Sequence, residues 1–201
     1  ENVDAWSILG AANKGLGRHE EAIEAFERVV EIDRQNANGF NNLGIAYHDW
    51  GLFQDAIDAL QWATSLKEDY AEAYFNLGNV FFDQGEWLSA ITSYQNAIYI
   101  RPGYVKALNN LGSAFQKYKK FDEAVDAFEK ALAIIPDYAA AHNNIALALQ
   151  DSGRHTAALQ SCQRAVAIDS NYSEAFKNLG NILLDLNRLD EAEAAYKKAL
   201  S

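Results

Sequence analysis

Residues 73–102 read AYFNLGNVFFDQGEWLSAITSYQNAIYIRP. Tyr74, Leu77, Gly78 and Phe81 follow the i, i+3, i+4, i+7 spacing of an amphipathic helix, and Ala90, Tyr94, Ala97 and Ile98 mark a second. Gly85, between them, supplies the permissive backbone of a tight turn, and Pro102 stops the second helix. The stretch reads as a helical hairpin. A lone hairpin cannot bury both apolar faces, so it needs copies of itself to pack against.

The copies are present. Leu9-Gly10, Leu43-Gly44, Leu77-Gly78, Leu111-Gly112, Ile145-Ala146 and Leu179-Gly180 recur every 34 residues without an insertion. At the same interval stand Ala22, Ala56, Ala90, Ala124, Ala158 and Ala192, each followed four positions later by a larger residue: Phe26, Leu60, Tyr94, Phe128, Cys162 and Tyr196. Gly17, Gly51 and Gly153 repeat the turn of Gly85, whereas Lys119 and Asn187 replace it. The glycines and alanines leave room for the two helices of a pair to approach while aromatic residues fill the space beside them. The pattern predicts a single array over residues 1–201, with units 3–36, 37–70, 71–104, 105–138, 139–172 and an incomplete 173–201.

The period and its phased small and aromatic positions resemble the tetratricopeptide repeat, over nearly the whole chain. The resemblance implies an all-α tetratricopeptide-repeat solenoid, a right-handed superhelix of stacked helix-turn-helix pairs. First helices would line a concave groove and second helices the convex side. The implied function is that of a protein–protein interaction scaffold.

The sixth position of the units carries Ile8, then Asn42, Asn76, Asn110, Asn144 and Asn178. Asparagine is a mediocre helix former, so five of them in register need a reason. Neither on the core face nor in a turn, they are expected to point into the groove, where each amide offers one acceptor and two donors to an extended peptide backbone. Asn41, Asn79, Asn109 and Asn143 stand at neighbouring groove positions. Asp49, Asp83, Asp151 and Asp185 add an acidic edge seven residues further along the same face, broken in the fourth unit by Lys106 and Lys117. Groove positions hold seven carboxylates, counting Asp4, Glu72 and Glu174 with the four edge aspartates, against Lys14, Lys106, Lys117 and Lys177. The expected partner is therefore an extended peptide segment with basic residues. The ladder is similar to the groove asparagines in the repeat region of protein O-GlcNAc transferases, which implies an alternative, the substrate-recognition arm of a larger glycosyltransferase. A third reading is a self-assembling protein whose ends stack, since the units stop at YKKALS without an additional polar capping helix.

A formal net charge of −11 opposes nucleic acid and anionic membrane surfaces. The longest apolar runs fall far short of the roughly 18 residues of a spanning helix, so membrane insertion is not expected. With one cysteine there is no intramolecular disulfide, and no basic-then-apolar leader opens the chain, which fits a cytoplasmic protein. Cys162 and His155 could be sketched as nucleophile and base, but other units fill their positions with core residues, Phe128 and Tyr94 for the first and Trp87 and Phe121 for the second. No spacing suggests a metal site, no glycine loop suggests a phosphate site, and neither catalytic residues nor a cofactor are expected. Trp62 lies where other units carry Arg28, Asn96, Lys130, Arg164 and Lys198, so an exposed indole is expected on the convex side.

Overall fold

The computed structural model describes residues 2–200. Twelve α-helices and no strand occur among them, in pairs: α1 (Val3–Gly15) and α2 (His19–Ile32), α3 (Ala37–Asp49) and α4 (Phe53–Leu66), α5 (Ala71–Asp83) and α6 (Trp87–Ile100), α7 (Val105–Lys117) and α8 (Phe121–Ile134), α9 (Ala139–Asp151) and α10 (His155–Ile168), α11 (Ser173–Asp185) and α12 (Leu189–Ala199). Every first helix begins at the first residue of a 34-residue unit, so period and hairpin coincide. The chain forms two compact units, Glu1–Pro102 and Gly103–Ser201, of three hairpins each.

Within the first unit, Ala22, Ile23, Phe26 and Leu43 form one buried cluster and Ala56, Ile57, Leu60, Leu77 and Val80 another, with Tyr47 packed against both. In the second unit one cluster runs from Ala124 and Phe128 through Ala146, Leu149 and Cys162 to Ile182 and Ala192. Each core is built across hairpin boundaries, as a repeat that cannot bury its own apolar face requires.

The glycine of each first helix has a narrower role than close approach of two backbones. A Cβ on Gly78 would lie 2.6 Å from the ring of Tyr94, one on Gly112 2.6 Å from Phe128, and one on Gly180 2.6 Å from Tyr196. The ring rests on the glycine itself rather than beside it. The fifth hairpin carries Ala146 and Cys162 at the equivalent places, both fully buried, so a methyl group appears where the ring is replaced by a small side chain. That exchange accounts for Cys162 as packing.

The turn between the paired helices takes the left-handed region whether or not its residue is glycine, with φ +77° at Gly85, 61° at Lys119 and 56° at Asn187. Asparagine visits this region with little cost, whereas lysine carries the steric penalty of its Cβ.

Candidate functional site

The row of asparagines lies at the sixth residue of successive first helices, and the structure joins it to the row one residue earlier. Asn76 Nδ2 donates to Asn41 Oδ1 at 2.9 Å. Asn144 Nδ2 donates to Asn109 Oδ1 at 3.1 Å, and Asn178 Nδ2 to Asn143 Oδ1 at 3.0 Å. These bonds join neighbouring first helices, α3 to α5 in the first unit, and α7 to α9 and α9 to α11 in the second. Asn41, Asn143 and Asn178 are buried, while Asn42, Asn76, Asn109, Asn110 and Asn144 are half-buried. Burial of amides at 6%, 1% and 7% exposure is supportable because each has a partner in the adjacent helix. The inner row therefore acts as a brace. Asn109 also donates to Asn110 at a long 3.5 Å.

The acidic edge is tied in the same way. Asp49 pairs with Lys14 at 3.5 Å, Asp83 with His48 at 2.8 Å, Asp151 accepts from Gln116 at 2.7 Å and Asp185 from Gln150 at 2.6 Å. In every case the partner belongs to the preceding hairpin. The edge carboxylates thus splice adjacent first helices, and Lys14 offsets one of their charges. Lys106 and Lys117 are exposed on α7.

Asn79 sits at a groove position but accepts from the hydroxyl of fully buried Tyr94 at 2.9 Å, and Asn181 does the same for Tyr196 at 2.7 Å. A tyrosine hydroxyl drawn out of water needs a partner, and these two asparagines provide it for buried Tyr94 and half-buried Tyr196. Where the ring is Phe26 or Phe128, the corresponding residue is Ala11 or Ser113. Sequence reasoning missed these roles, although the pairing of tyrosine with asparagine inside one hairpin was visible.

Beside Asn42 lies a cleft of about 310 Å³, lined by Ala11, Lys14, Gly15, Phe26 and Ile45. Asn42 itself makes no side-chain hydrogen bond among the described residues and faces this opening. The sulfur of Cys162 is buried and bonds the carbonyl of Ala175 at 3.3 Å, and burial pushes its thiol up to about 12, which leaves it protonated and unreactive at neutral pH. His155 Nδ1 is buried without a hydrogen-bond partner and lies 3.5 Å from a carboxylate oxygen of Asp185 in the next hairpin. No group of three metal-ligating side chains occurs among the described residues, nor a helix long and apolar enough to cross a membrane.

Paired helices in a 34-residue register, spliced laterally through polar side chains, define a helical-repeat scaffold. The chain belongs to the tetratricopeptide repeat family: the Tetratricopeptide repeat model matches residues 69–137 and 137–201, and a TPR repeat model matches 10–51 and 47–85. No curated protein matches it. Among solved structures, one of MamA is 29% identical with a TM-score of 0.76, over 86% of this chain and 94% of that one. YrrB, a TPR protein with an unusual peptide-binding site, is 20% identical with a TM-score of 0.70, over 89% of this chain and 92% of that one. A tetratricopeptide repeat protein from Parabacteroides merdae ATCC 43184 is 15% identical with a TM-score of 0.86, over 98% of this chain and 78% of that one. These last two likenesses are of fold.

Proposed function

We propose that this repeat scaffold binds an extended peptide segment along its first helices, with Asn42 and Asn76 engaging the backbone in the first unit and Asn110 and Asn144 in the second. The observation that carries the reading is the bracing of Asn76 and Asn144: one N–H of each amide is fixed by the neighbouring helix, which orients the remaining N–H and the carbonyl. A pre-oriented amide loses less freedom on binding than a mobile one, so each backbone contact contributes more net affinity. Asn41, Asn143 and Asn178 are spent on the bracing, and Asn79 on Tyr94, so they contribute through position rather than contact. The cleft beside Asn42 offers a socket for a ligand side chain between backbone contacts, and its Lys14 faces a carbonyl or carboxylate there.

Basic residues in the ligand suit the exposed part of the edge carboxylates, interrupted at Lys106 and Lys117. The peptide-binding site of YrrB, a protein of the same fold, is consistent with this use. The test is an arrayed peptide library probed at low and at physiological salt with the wild-type chain and with Asn42→Ala and Asn144→Ala. Each substitution should weaken selected peptides about tenfold with unchanged helicity, as the loss of a well-placed hydrogen-bond pair predicts. Equal binding by all three proteins would overturn the reading.

A further inference from the structure

The second helices of the first unit carry a feature that the first-helix surface does not explain. Trp62 and Tyr99 are 59% and 88% exposed, on α4 and α6 respectively, where burial or a partner is the usual fate of large aromatics. Each borders a cleft. One, of about 580 Å³, lies between the ends of α4 and α6 and is lined by Ser65, Glu68, Asp69, Tyr74, Asn96 and Tyr99. The other, of about 410 Å³, is lined by Asp58, Gln61, Trp62 and Ser65. Ser65 lines both, so the two clefts adjoin at that residue and together make up the furrow between Trp62 and Tyr99.

The furrow has a fixed chemistry. Trp62 is stacked on Phe40, with centroids 6.2 Å apart and planes 28° apart, so the indole is held on one face and its orientation is set. Asp58 is held by Gln54 Nε2 at 2.9 Å. Glu68 and Asp69 enter no ion pair among the described residues. Two neighbouring cations are already committed, Lys67 over the Tyr70 ring at 4.9 Å and Arg101 to Glu72 at 2.7 Å. No lysine or arginine lines either cleft. Aromatic rings beside carboxylates complement a planar cation: a guanidinium stacks on a ring face while its N–H groups bond a carboxylate in a fork, which a lysine ammonium cannot do.

We propose that this furrow between α4 and α6 is a second binding surface, for an arginine-containing segment of a partner protein. It is independent of the asparagine row, which lies on the first helices. One arginine occupies the cleft between Tyr99 and the Glu68 and Asp69 carboxylates, and a second stacks on Trp62 beside Asp58.

The probe is a fluorescein-labelled octapeptide with two arginines in a glycine/serine background, compared with its lysine and glutamate counterparts by fluorescence anisotropy. The same titration is followed through the indole signals of the chain labelled with nitrogen-15 tryptophan. The arginine peptide should bind, the lysine peptide about fivefold or more weakly and the glutamate peptide not at all, and the Trp62 indole signal should move. Tyr99→Ala, which removes an almost fully exposed ring, and the pair Glu68→Gln with Asp69→Asn should each weaken arginine-peptide binding about tenfold. Asn42→Ala should leave it unchanged, which separates this surface from the first-helix site. Absence of binding, equal affinity for the lysine peptide, an unmoved Trp62 signal or affinity indifferent to Tyr99→Ala would each overturn the proposal.

Discussion

Replacing Gly112 with alanine tests the packing rule that organises every hairpin. The new methyl would stand 2.6 Å from Phe128 Cε1 and 2.7 Å from Cδ1 and Cζ, meeting the side of a rigid ring rather than the end of a flexible chain. Ordinary contact begins near 3.4 Å, so the ring must retreat by about 0.8 Å inside a site where it is fully buried. Overpacking of this kind costs about 1–3 kcal/mol, while the better helix propensity of alanine returns about 1 kcal/mol, for a net loss of about 1 kcal/mol and at most about 2. Phe128→Cys alone empties a ring-sized space and should cost about 3–5 kcal/mol by analogy with phenylalanine truncations. Gly112→Ala with Phe128→Cys reproduces the arrangement of Ala146 and Cys162, so the two losses should not add, and the coupling should favour the double variant by about 1–2 kcal/mol. Urea unfolding followed by far-ultraviolet circular dichroism measures all four proteins. Strict additivity, or a stabilised Gly112→Ala, would refute the steric account.

Three further outcomes follow from single sites. Lys119→Gly should stabilise the chain by about 1 kcal/mol in the same titration, because the φ of 61° that lysine holds there is free for glycine, and the loss of unfolded-state restriction takes back only part of the gain. Cys162 should resist iodoacetamide in the folded chain at neutral pH and react only on unfolding, with mass spectrometry as the readout, since burial raises its thiol to about 12 and its sulfur faces the Ala175 carbonyl. Tyr47→Phe should cost about 1 kcal/mol at pH 7 by removing the 2.7 Å bond to Glu27; burial first and the Glu27 carboxylate second raise the phenol above its ordinary value, so the bond's contribution declines as pH rises past about 10.

The fold was legible because each structural position is sampled repeatedly. The helix starts at Ala37, Ala71, Val105 and Ala139 agree with the sequence register because the small-residue and aromatic columns repeat without insertion. The turn at Lys119 was legible by position though not by residue type: the column of glycines marks where the backbone turns left-handed, and Lys119 takes the same region. Trp62 was likewise exposed where its column is otherwise polar or charged.

The lateral bonds were not legible because comparing units at a period of 34 aligns each position with itself, whereas the bonds join unlike positions. Asn41 meets Asn76, Asn109 meets Asn144 and Asn143 meets Asn178 at a separation of 35, and the same offset links His48 to Asp83, Gln116 to Asp151 and Gln150 to Asp185. Rise along one helix and the step to the next combine so that a side chain reaches the neighbour one residue on. Read at that offset, Asn41, Asn109 and Asn143 are inner residues that accept from the next helix, while in the outer column Asn76, Asn144 and Asn178 donate to the preceding helix and Asn42 makes no side-chain hydrogen bond among the described residues. The same division governs what a substitution does. Removing an inner amide such as Asn143 orphans the buried Asn178 and should cost stability, whereas removing Asn42, which splices nothing, should cost binding alone. Asn76 and Asn144 belong to both classes, so their replacement by alanine lowers stability and affinity together, and only Asn42 separates the two.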